Sequence, residues 1–300
     1  MKTAPNYIKL HDSGQLKKRI EKLYKILESC ELCPRKCKIN RLKGELGFCR
    51  SGKDLIISSF NPHFGEEREL VGRFGSGTIF LANCNLGCVY CQNYDISHLG
   101  EGSKFSVEDL VRQIIYLKKL GCHNINFVTP THVIPQIVEA VYLAIGAGLD
   151  LPLVFNCGGY ENVEVIKLLD GIFDIYMPDI KYSDSKMSKL YSNAPDYFDR
   201  AKEAVKEMQR QVEDLKVDDG IAVRGLLIRH LVMPNDVAGS GKVLEFVVED
   251  LSKDTYVNIM DQYRPCYEAY KYDQIKRFPE ASEINEVIGT ARKLGLHRGF

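Results

Sequence analysis

Three cysteines, Cys84, Cys88 and Cys91, stand close together in the run CNLGCVYC. Thiolates are the usual protein ligands of iron–sulfur clusters, and three of them leave one corner of a 4Fe–4S cluster without a protein ligand. A metal centre with an open coordination position binds and activates a small molecule, whereas a fully ligated one is structural. The spacing therefore predicts a reactive 4Fe–4S cluster at this triplet.

Two plainer interpretations of the triplet are a zinc knuckle that lacks one ligand and a group of buried small hydrophobic side chains. The first needs a fourth Cys or His nearby, and the second needs apolar neighbours. The flanking residues are instead mostly amides, Asn83, Asn85, Gln92 and Asn93, and His98 follows only further along. The flanks therefore favour the cluster.

A second set of four cysteines, Cys30, Cys33, Cys37 and Cys49, lies near the N-terminus. Gly44 and Gly47 permit the tight turns that a small metal knuckle needs. Four thiolates close either a tetrahedral zinc site or a complete iron–sulfur cluster, and the sequence leaves both open beside four unliganded thiols. An amphipathic helix is predicted over 14–29, directly before this segment.

Composition excludes some classes of partner. Acidic and basic residues are equal in number, 40 of each, so no general attraction to nucleic acid or to a membrane surface is expected. The N-terminus has no signal-peptide pattern, and no apolar run approaches the ~20 residues that cross a bilayer. Ten cysteines without an export signal favour reduced thiols over disulfides. We therefore expect a cytoplasmic protein.

From residue 78 onward, short apolar strands alternate with helical segments, a pattern that predicts an α/β fold with a parallel sheet. The predicted strands are 78–83, 124–129, 152–156, 173–177, 222–231 and 256–260. The predicted helices are 107–120, 133–146, 161–169, 197–215, 241–251 and 283–294. We divide the chain into an N-terminal helix with a cysteine-rich knuckle, 1–74, and one main domain, 75–300.

Polar residues follow every predicted strand, at the sheet edge where parallel α/β barrels place their active sites. The triplet follows the first strand and residues 261–265 follow the sixth. The candidates at the strands between them are Thr129, Thr131, Asn156, Asp179, Lys181 and His230. These positions make a site at that edge the natural hypothesis.

Three features together resemble the pyruvate formate-lyase activating enzymes, which belong to the radical S-adenosylmethionine (SAM) superfamily. They are the triplet with Tyr90 before its third cysteine, the Asp-Ile-Lys at 179–181 and a histidine on the fifth strand. The stretches CELCPR, GSGTIF and VTPTH are similar to the PflX-type branch of that family. The resemblance spans about residues 30–295. It implies a partial (β/α)6 TIM-like barrel behind a small cysteine-rich N-terminal extension.

The resemblance also implies cofactors and site residues. A 4Fe–4S cluster on the triplet binds SAM and cleaves it reductively to methionine and a 5′-deoxyadenosyl radical. The expected SAM contacts are Thr129 and Thr131 at the amino end, Asp179, Lys181 and His230 along the polar wall, Asn156 near the ribose and Tyr90 against the adenine. The plainer alternatives are a surface ion pair for Asp179 and Lys181, a core histidine for His230 and a turn at Asn156.

This sequence departs from the family pattern at two points: it lacks the Gly-Gly-Glu-Pro segment that usually holds the SAM amino group, and Asn156 replaces an aspartate. Three functions therefore stay open. The leading one is an activase that abstracts hydrogen from a glycine of a partner enzyme. The second is a radical SAM enzyme for another peptide or a small molecule, and the third is a zinc-stabilised binding module without activity. Either enzyme implies an electron donor such as flavodoxin or ferredoxin.

Overall fold

The computed structural model describes residues 5–300, so residues 1–4 of the predicted segment 1–74 lie outside the described residues. The strands are β1 (Leu55–His63), β2 (Ser76–Leu81), β3 (Ser103–Phe105), β4 (Ile125–Val128), β5 (Leu153–Cys157), β6 (Ile175–Pro178), β7 (Lys216–Asp218), β8 (Ile221–Leu231) and β9 (Tyr256–Met260). The helices are α1 (Asn6–Asp12), α2 (Gln15–Ile26), α3 (Arg68–Val71), α4 (Tyr94–Ser97), α5 (Val107–Lys119), α6 (Ile134–Gly146), α7 (Val163–Leu168), α8 (Ser185–Ser192), α9 (Tyr197–Val212), α10 (Ser240–Asp250) and α11 (Ala281–Leu294). Short 3-10 turns occur at Leu27–Ser29, Arg41–Lys43, Thr131–Val133, Pro234–Asp236 and Ala269–Lys271.

The six predicted strands are confirmed, and they pair in parallel in the order β2, β4, β5, β6, β8 and β9. The chain is therefore an α/β protein with a mostly parallel central sheet. The first strand ends earlier than predicted, at Leu81 instead of residue 83. The reason is Asn83, whose φ of 72° is left-handed and does not continue an extended strand.

Three antiparallel strands were not predicted. β1 pairs with β2, β3 pairs with β1, and β7 pairs with β8. β1 is part of the predicted N-terminal segment, yet its hydrogen bonds to β2 place it in the same sheet as the main domain. The sheet thus continues past the first parallel strand toward the N-terminal segment.

The predicted helices all form, with ends shifted by a few residues. α9 stops at Val212 instead of residue 215, because Glu213 has a φ of 63° and its backbone leaves the helical region. α8 was not predicted. Its first turn is capped by the Asp184 carboxylate, which accepts hydrogen bonds from the backbone N–H groups of Lys186 and Met187. α8 matters because its last residue, Ser192, reaches the cysteine triplet.

The two faces of the parallel sheet differ in polarity. In β4, Ile125 and Phe127 are fully buried in the main hydrophobic core, whereas Asn126 between them donates a hydrogen bond to Glu66. Successive side chains of a strand point to opposite faces, so one face packs against helices and the other carries polar groups. The polar face is the one that continues into the site. No helix within residues 5–300 is both long and apolar enough to cross a membrane.

Candidate active site

The cysteine triplet lies in the loop that follows β2, and its three thiols are free. Each sulfur is close to a polar group. The backbone N–H of Leu86 lies 3.3 Å from the Cys84 sulfur, and the Ser192 hydroxyl donates to the Cys88 sulfur at 3.0 Å. The Ser97 hydroxyl lies 3.1 Å from the Cys91 sulfur. Hydrogen bonds of this kind stabilise thiolates and tune the clusters that thiolates hold.

The Lys181 ammonium acts electrostatically on all three thiols. Burial raises the pKa of each cysteine of the triplet, and the Lys181 ammonium acts against that rise at all three. Lys181 follows β6, at the same end of the sheet as the loop after β2. The structure therefore brings the predicted Lys181 and the predicted triplet together.

Lys181 belongs to a partly buried network of charges. Its ammonium lies 2.5 Å from the Asp179 carboxylate, and the exposed fractions of the two side chains are 19% and 14%. Arg229 donates from Nε to the same carboxylate at 2.8 Å, and from Nη2 to the Asn156 amide oxygen at 2.7 Å. Asp179 and Lys181 are thus a partly buried pair and not a fully exposed surface pair. Burial favours the neutral acid, but Arg229 and Lys181 outweigh it and hold the pKa of Asp179 below its ordinary value.

His230 lies apart from this network. Its Nδ1 is 2.7 Å from the Ile180 carbonyl, its Nε2 is 2.8 Å from the Ser240 hydroxyl, and the residue is fully buried. Because side chains alternate along β8, Arg229 reaches the polar face while His230 turns to the helices. The surroundings of His230 are thus those of a hydrogen-bonded core histidine, the plainer of the two interpretations. Arg229 is the neighbour that sequence reasoning missed, and only its place beside His230 in an alternating strand could have indicated it.

The two predicted threonines differ in their surroundings. Thr131 is fully buried and donates its hydroxyl to Glu161 at 2.8 Å. Thr129 is half-buried, with a φ of 60°, and its backbone N–H donates to the Asn156 carbonyl at 2.8 Å. Burial raises the pKa of Glu161 to about 7. Glu161 was not predicted, although it closes the Gly-Gly-Tyr-Glu stretch that follows β5.

Tyr90 is buried among other aromatic rings. Its ring centroid lies 6.3 Å from that of Tyr182, edge to face, and 5.8 Å from that of Tyr263. Packing of this kind holds the ring next to Cys91. The residue is 4% exposed, so contact between the ring and a ligand requires movement of these neighbours.

The N-terminal cysteines Cys30, Cys33, Cys37 and Cys49 line one small cavity, which is close to the triplet loop. Residues 5–300 contain no group of three or more His, Cys, Asp or Glu side chains already arranged around a metal ion. The donor chemistry of the triplet nevertheless fits a cluster: three free thiols of one loop, each beside a polar group, with a cation acting on them electrostatically.

Comparisons with known proteins agree with this chemistry. The family model described as the radical SAM superfamily matches residues 78–232. An uncharacterized protein of Methanocaldococcus jannaschii, MJ0674, is 32% identical over 289 residues, which are 93% of this chain and 78% of that protein. The family model identifies the superfamily without distinguishing its branches, and the name of the relative gives no activity.

Two solved structures are also similar. The crystal structure of HydG, a maturase of the FeFe-hydrogenase, has a TM-score of 0.52 at 14% identity, over 74% of this chain and 50% of HydG. That of the methylornithine synthase PylB has a TM-score of 0.48 at 15% identity, over 72% of this chain and 62% of PylB. The chain thus spans half of HydG and somewhat under two thirds of PylB. The likeness to HydG concerns the fold alone.

Proposed function

The chain belongs to the radical SAM superfamily, and we propose that it holds a 4Fe–4S cluster through Cys84, Cys88 and Cys91 and cleaves SAM there. The superfamily implies both the cluster and SAM. When bound, the cluster supplies the electron that breaks a carbon–sulfur bond of SAM, while the protein positions the two reactants. The observation that carries the proposal is the position of the three free thiols, which lie together in the loop directly after the first parallel strand.

The SAM contacts follow from the charges around the triplet. SAM carries a carboxylate, and we propose Lys181 as its partner, with Asp179 and Arg229 fixing the ammonium in place. Thr129 is the candidate for the amino end, because Thr131 is already engaged with Glu161. Asn156 is oriented by Arg229, and its place near the ribose remains a proposal. His230 is not among the proposed SAM contacts, since both of its ring nitrogens have protein partners.

The proposed substrate is a glycine in a partner polypeptide. Its support is the set of motifs shared with the activating enzymes, together with an exposed aromatic surface beside the triplet loop. In that surface the ring of Tyr267 stacks on those of Tyr94 and His98, at centroid distances of 5.2 and 4.4 Å. The alternative is another peptide or a small molecule. The fold does not choose between them, because folds host many activities.

Two accompanying proposals concern the cell. Reduction of the cluster requires a one-electron donor, for which flavodoxin or ferredoxin is suitable. A reducing compartment, the cytoplasm, is proposed because all ten cysteines are free thiols.

The test is anaerobic reconstitution with iron and sulfide, followed by reduction, addition of SAM and quantification of 5′-deoxyadenosine. We expect formation in the unsubstituted protein and in a Cys122→Ala control, which removes a buried thiol outside the triplet. Replacement of Cys84, Cys88 and Cys91 by alanine should abolish it. A cluster-loaded, reducible sample that forms no 5′-deoxyadenosine would contradict the proposal and favour the binding module. A glycyl radical seen by electron paramagnetic resonance on a co-incubated partner would support the activase over the alternative.

A further inference from the structure

The four N-terminal thiols come together although they are spread over the segment 30–49. Cys30, Cys33, Cys37 and Cys49 line one cavity, and none is in a disulfide. Cys30 is buried and the others are half-buried. Two backbone hydrogen bonds hold the start of the segment, from Cys30 N–H to Ile39 and from Lys38 N–H to Cys30. The fold thus gathers four soft ligands in one place, in a segment that adjoins the triplet loop.

His132 lines the same cavity and carries an unsatisfied nitrogen. Its Nε2 lies 2.8 Å from the carbonyl of Ala82, so Nε2 bears the proton and Nδ1 carries a lone pair. The residue is 2% exposed, and Nδ1 has no hydrogen-bond partner among the described residues. A buried acceptor without a partner is costly. A histidine that ligates a metal commonly donates its other N–H to a backbone carbonyl, as His132 does.

Arg41 supplies a second observation that points to a ligand in the cavity. The residue is 1% exposed. Its described acceptors are the Gly52 carbonyl, at 2.6 Å from Nη2, and the Cys30 sulfur, at 3.9 Å from Nη1. Neither acceptor is a carboxylate, and burial of a cation without a compensating anion is unfavourable. Four metal-bound thiolates would supply the negative charge, because metal binding deprotonates thiols and releases their protons to solvent.

We propose that Cys30, Cys33, Cys37 and Cys49 bind a second metal centre, either one zinc ion or a second iron–sulfur cluster. The side chains are not yet arranged around a single ion, so binding requires cysteines to change rotamer. This site is separate from the triplet, and the proposal does not rest on the cleavage of SAM.

The contacts of Arg35 indicate what such a centre does. Arg35 lies between Cys33 and Cys37 in the chain, and it donates to the carbonyls of Asn85 at 2.9 Å and Leu86 at 3.1 Å. A third bond, 2.9 Å long, goes to the carbonyl of Ser192. The metal orders the segment that carries Arg35, and Arg35 in turn supports the triplet loop and the end of α8.

The test uses the full chain with Cys84, Cys88 and Cys91 replaced by alanine, so that metal at the triplet does not contribute. The protein is reconstituted anaerobically, in one arm with zinc and in the other with iron and sulfide, and metal and sulfide per chain are measured after desalting. We expect this variant to retain a metal centre. When Cys33→Ala and Cys49→Ala are introduced into this variant, we expect the metal to be lost. When Cys122→Ala is introduced instead, we expect the metal to be retained.

Zinc without sulfide would identify a mononuclear site, and iron with sulfide a cluster. The proposal would be overturned if the triplet variant bound the same amount of metal whether or not Cys33 and Cys49 were also replaced. It would also be overturned if neither of these two proteins bound metal.

A second measurement needs no substitution, so it remains decisive if a variant does not fold. The reconstituted unsubstituted protein is alkylated before and after treatment with a chelator, and each cysteine is followed by mass spectrometry. We expect Cys30, Cys33, Cys37 and Cys49 to be protected until the metal is removed, with half-buried Cys266 as the reference. Alkylation of the four thiols at the same rate with and without chelator would contradict a metal centre. Because the triplet cysteines are read separately, the two sites are told apart.

Discussion

Arg229 donates from Nε to Asp179 at 2.8 Å, and this bond joins the ends of two neighbouring parallel strands, β6 and β8. Asp179 is thereby held between two cations, with Lys181 on its other oxygen. A carboxylate shared in this way stays ionised and fixes the direction of both cations. This sharing fixes the position of the Lys181 ammonium, because Arg229 holds the carboxylate to which the ammonium is bound.

Because Arg229 and His230 lie on opposite faces of β8, we expect substitutions at these two adjacent positions to affect different properties. Arg229→Met leaves Asp179 with Lys181 alone and removes the side-chain partner of Asn156, beside the proposed SAM site. We therefore expect the KM for SAM to rise by about tenfold or more, as for loss of a hydrogen bond to a charged group. His230→Phe breaks two buried hydrogen bonds on the helix side and should lower Tm without a comparable change in KM. Steady-state formation of 5′-deoxyadenosine and thermal unfolding measure both. A larger KM effect in the His230 variant would show that the faces are misassigned.

Ser192 is expected to tune the cluster through its hydrogen bond to the Cys88 sulfur. Hydrogen bonds to ligating sulfurs stabilise the more negative, reduced state, so Ser192→Ala should make the reduction potential more negative. Ser188→Ala is the matched control, because Ser188 lies one turn earlier in α8 and donates to the Ser185 carbonyl instead. A redox titration followed by electron paramagnetic resonance compares the three proteins. Identical potentials would mean that the bond does not persist when the cluster is bound.

Gly159 is required for a close approach between the loop after β5 and Asp179. Its φ is +78°, and a Cβ at this position would lie 2.1 Å from the Asp179 carbonyl oxygen. Gly159→Ala should therefore displace the loop, lower Tm and reduce SAM cleavage. Gly148→Ala is the control, because Gly148 has a φ of +96° but no neighbouring atom within 4 Å of that Cβ. The control carries only backbone strain, of about 1–2 kcal/mol. Equal losses in the two variants would show that strain alone is responsible.

Asp174 predicts a pH dependence of stability. The carboxylate accepts a hydrogen bond from the Leu153 N–H at 3.0 Å, and burial raises its pKa from the ordinary 3.8 to about 7. Between these two values the folded state binds more protons than the unfolded state. Its contribution to stability is therefore complete below about pH 4 and is lost as the pH rises through 7, by up to about 1.4 kcal/mol per pH unit.

Asp174→Asn removes this titration and keeps an acceptor for Leu153. We expect the unfolding free energy of the unsubstituted protein, relative to the variant, to fall between pH 4 and pH 7 and to level off above that. Denaturant unfolding at several pH values provides the measurement. Parallel pH profiles of the two proteins would refute the assignment.

Sequence alone determined the parallel strands, most helices and the cysteine triplet. Each is a local pattern: a short apolar run bounded by turn residues, a helical period, or three thiols within one loop. Such patterns depend only on residues close together in the sequence, so they can be recognised without knowledge of the fold. The four N-terminal cysteines were visible for the same reason.

Only the tertiary structure decided which of two adjacent residues, Arg229 or His230, joins the site. Shifting the register of a strand by one residue moves every side chain to the other face of the sheet. In β8 the register is set by the face that the helices cover. Contacts between residues far apart in the sequence could not be predicted from the sequence either. Ser192 meets Cys88 from 104 positions away, and Arg35 meets Leu86 from 51. Such contacts arise because packing of the helices against the sheet brings distant segments together, and no local pattern encodes them.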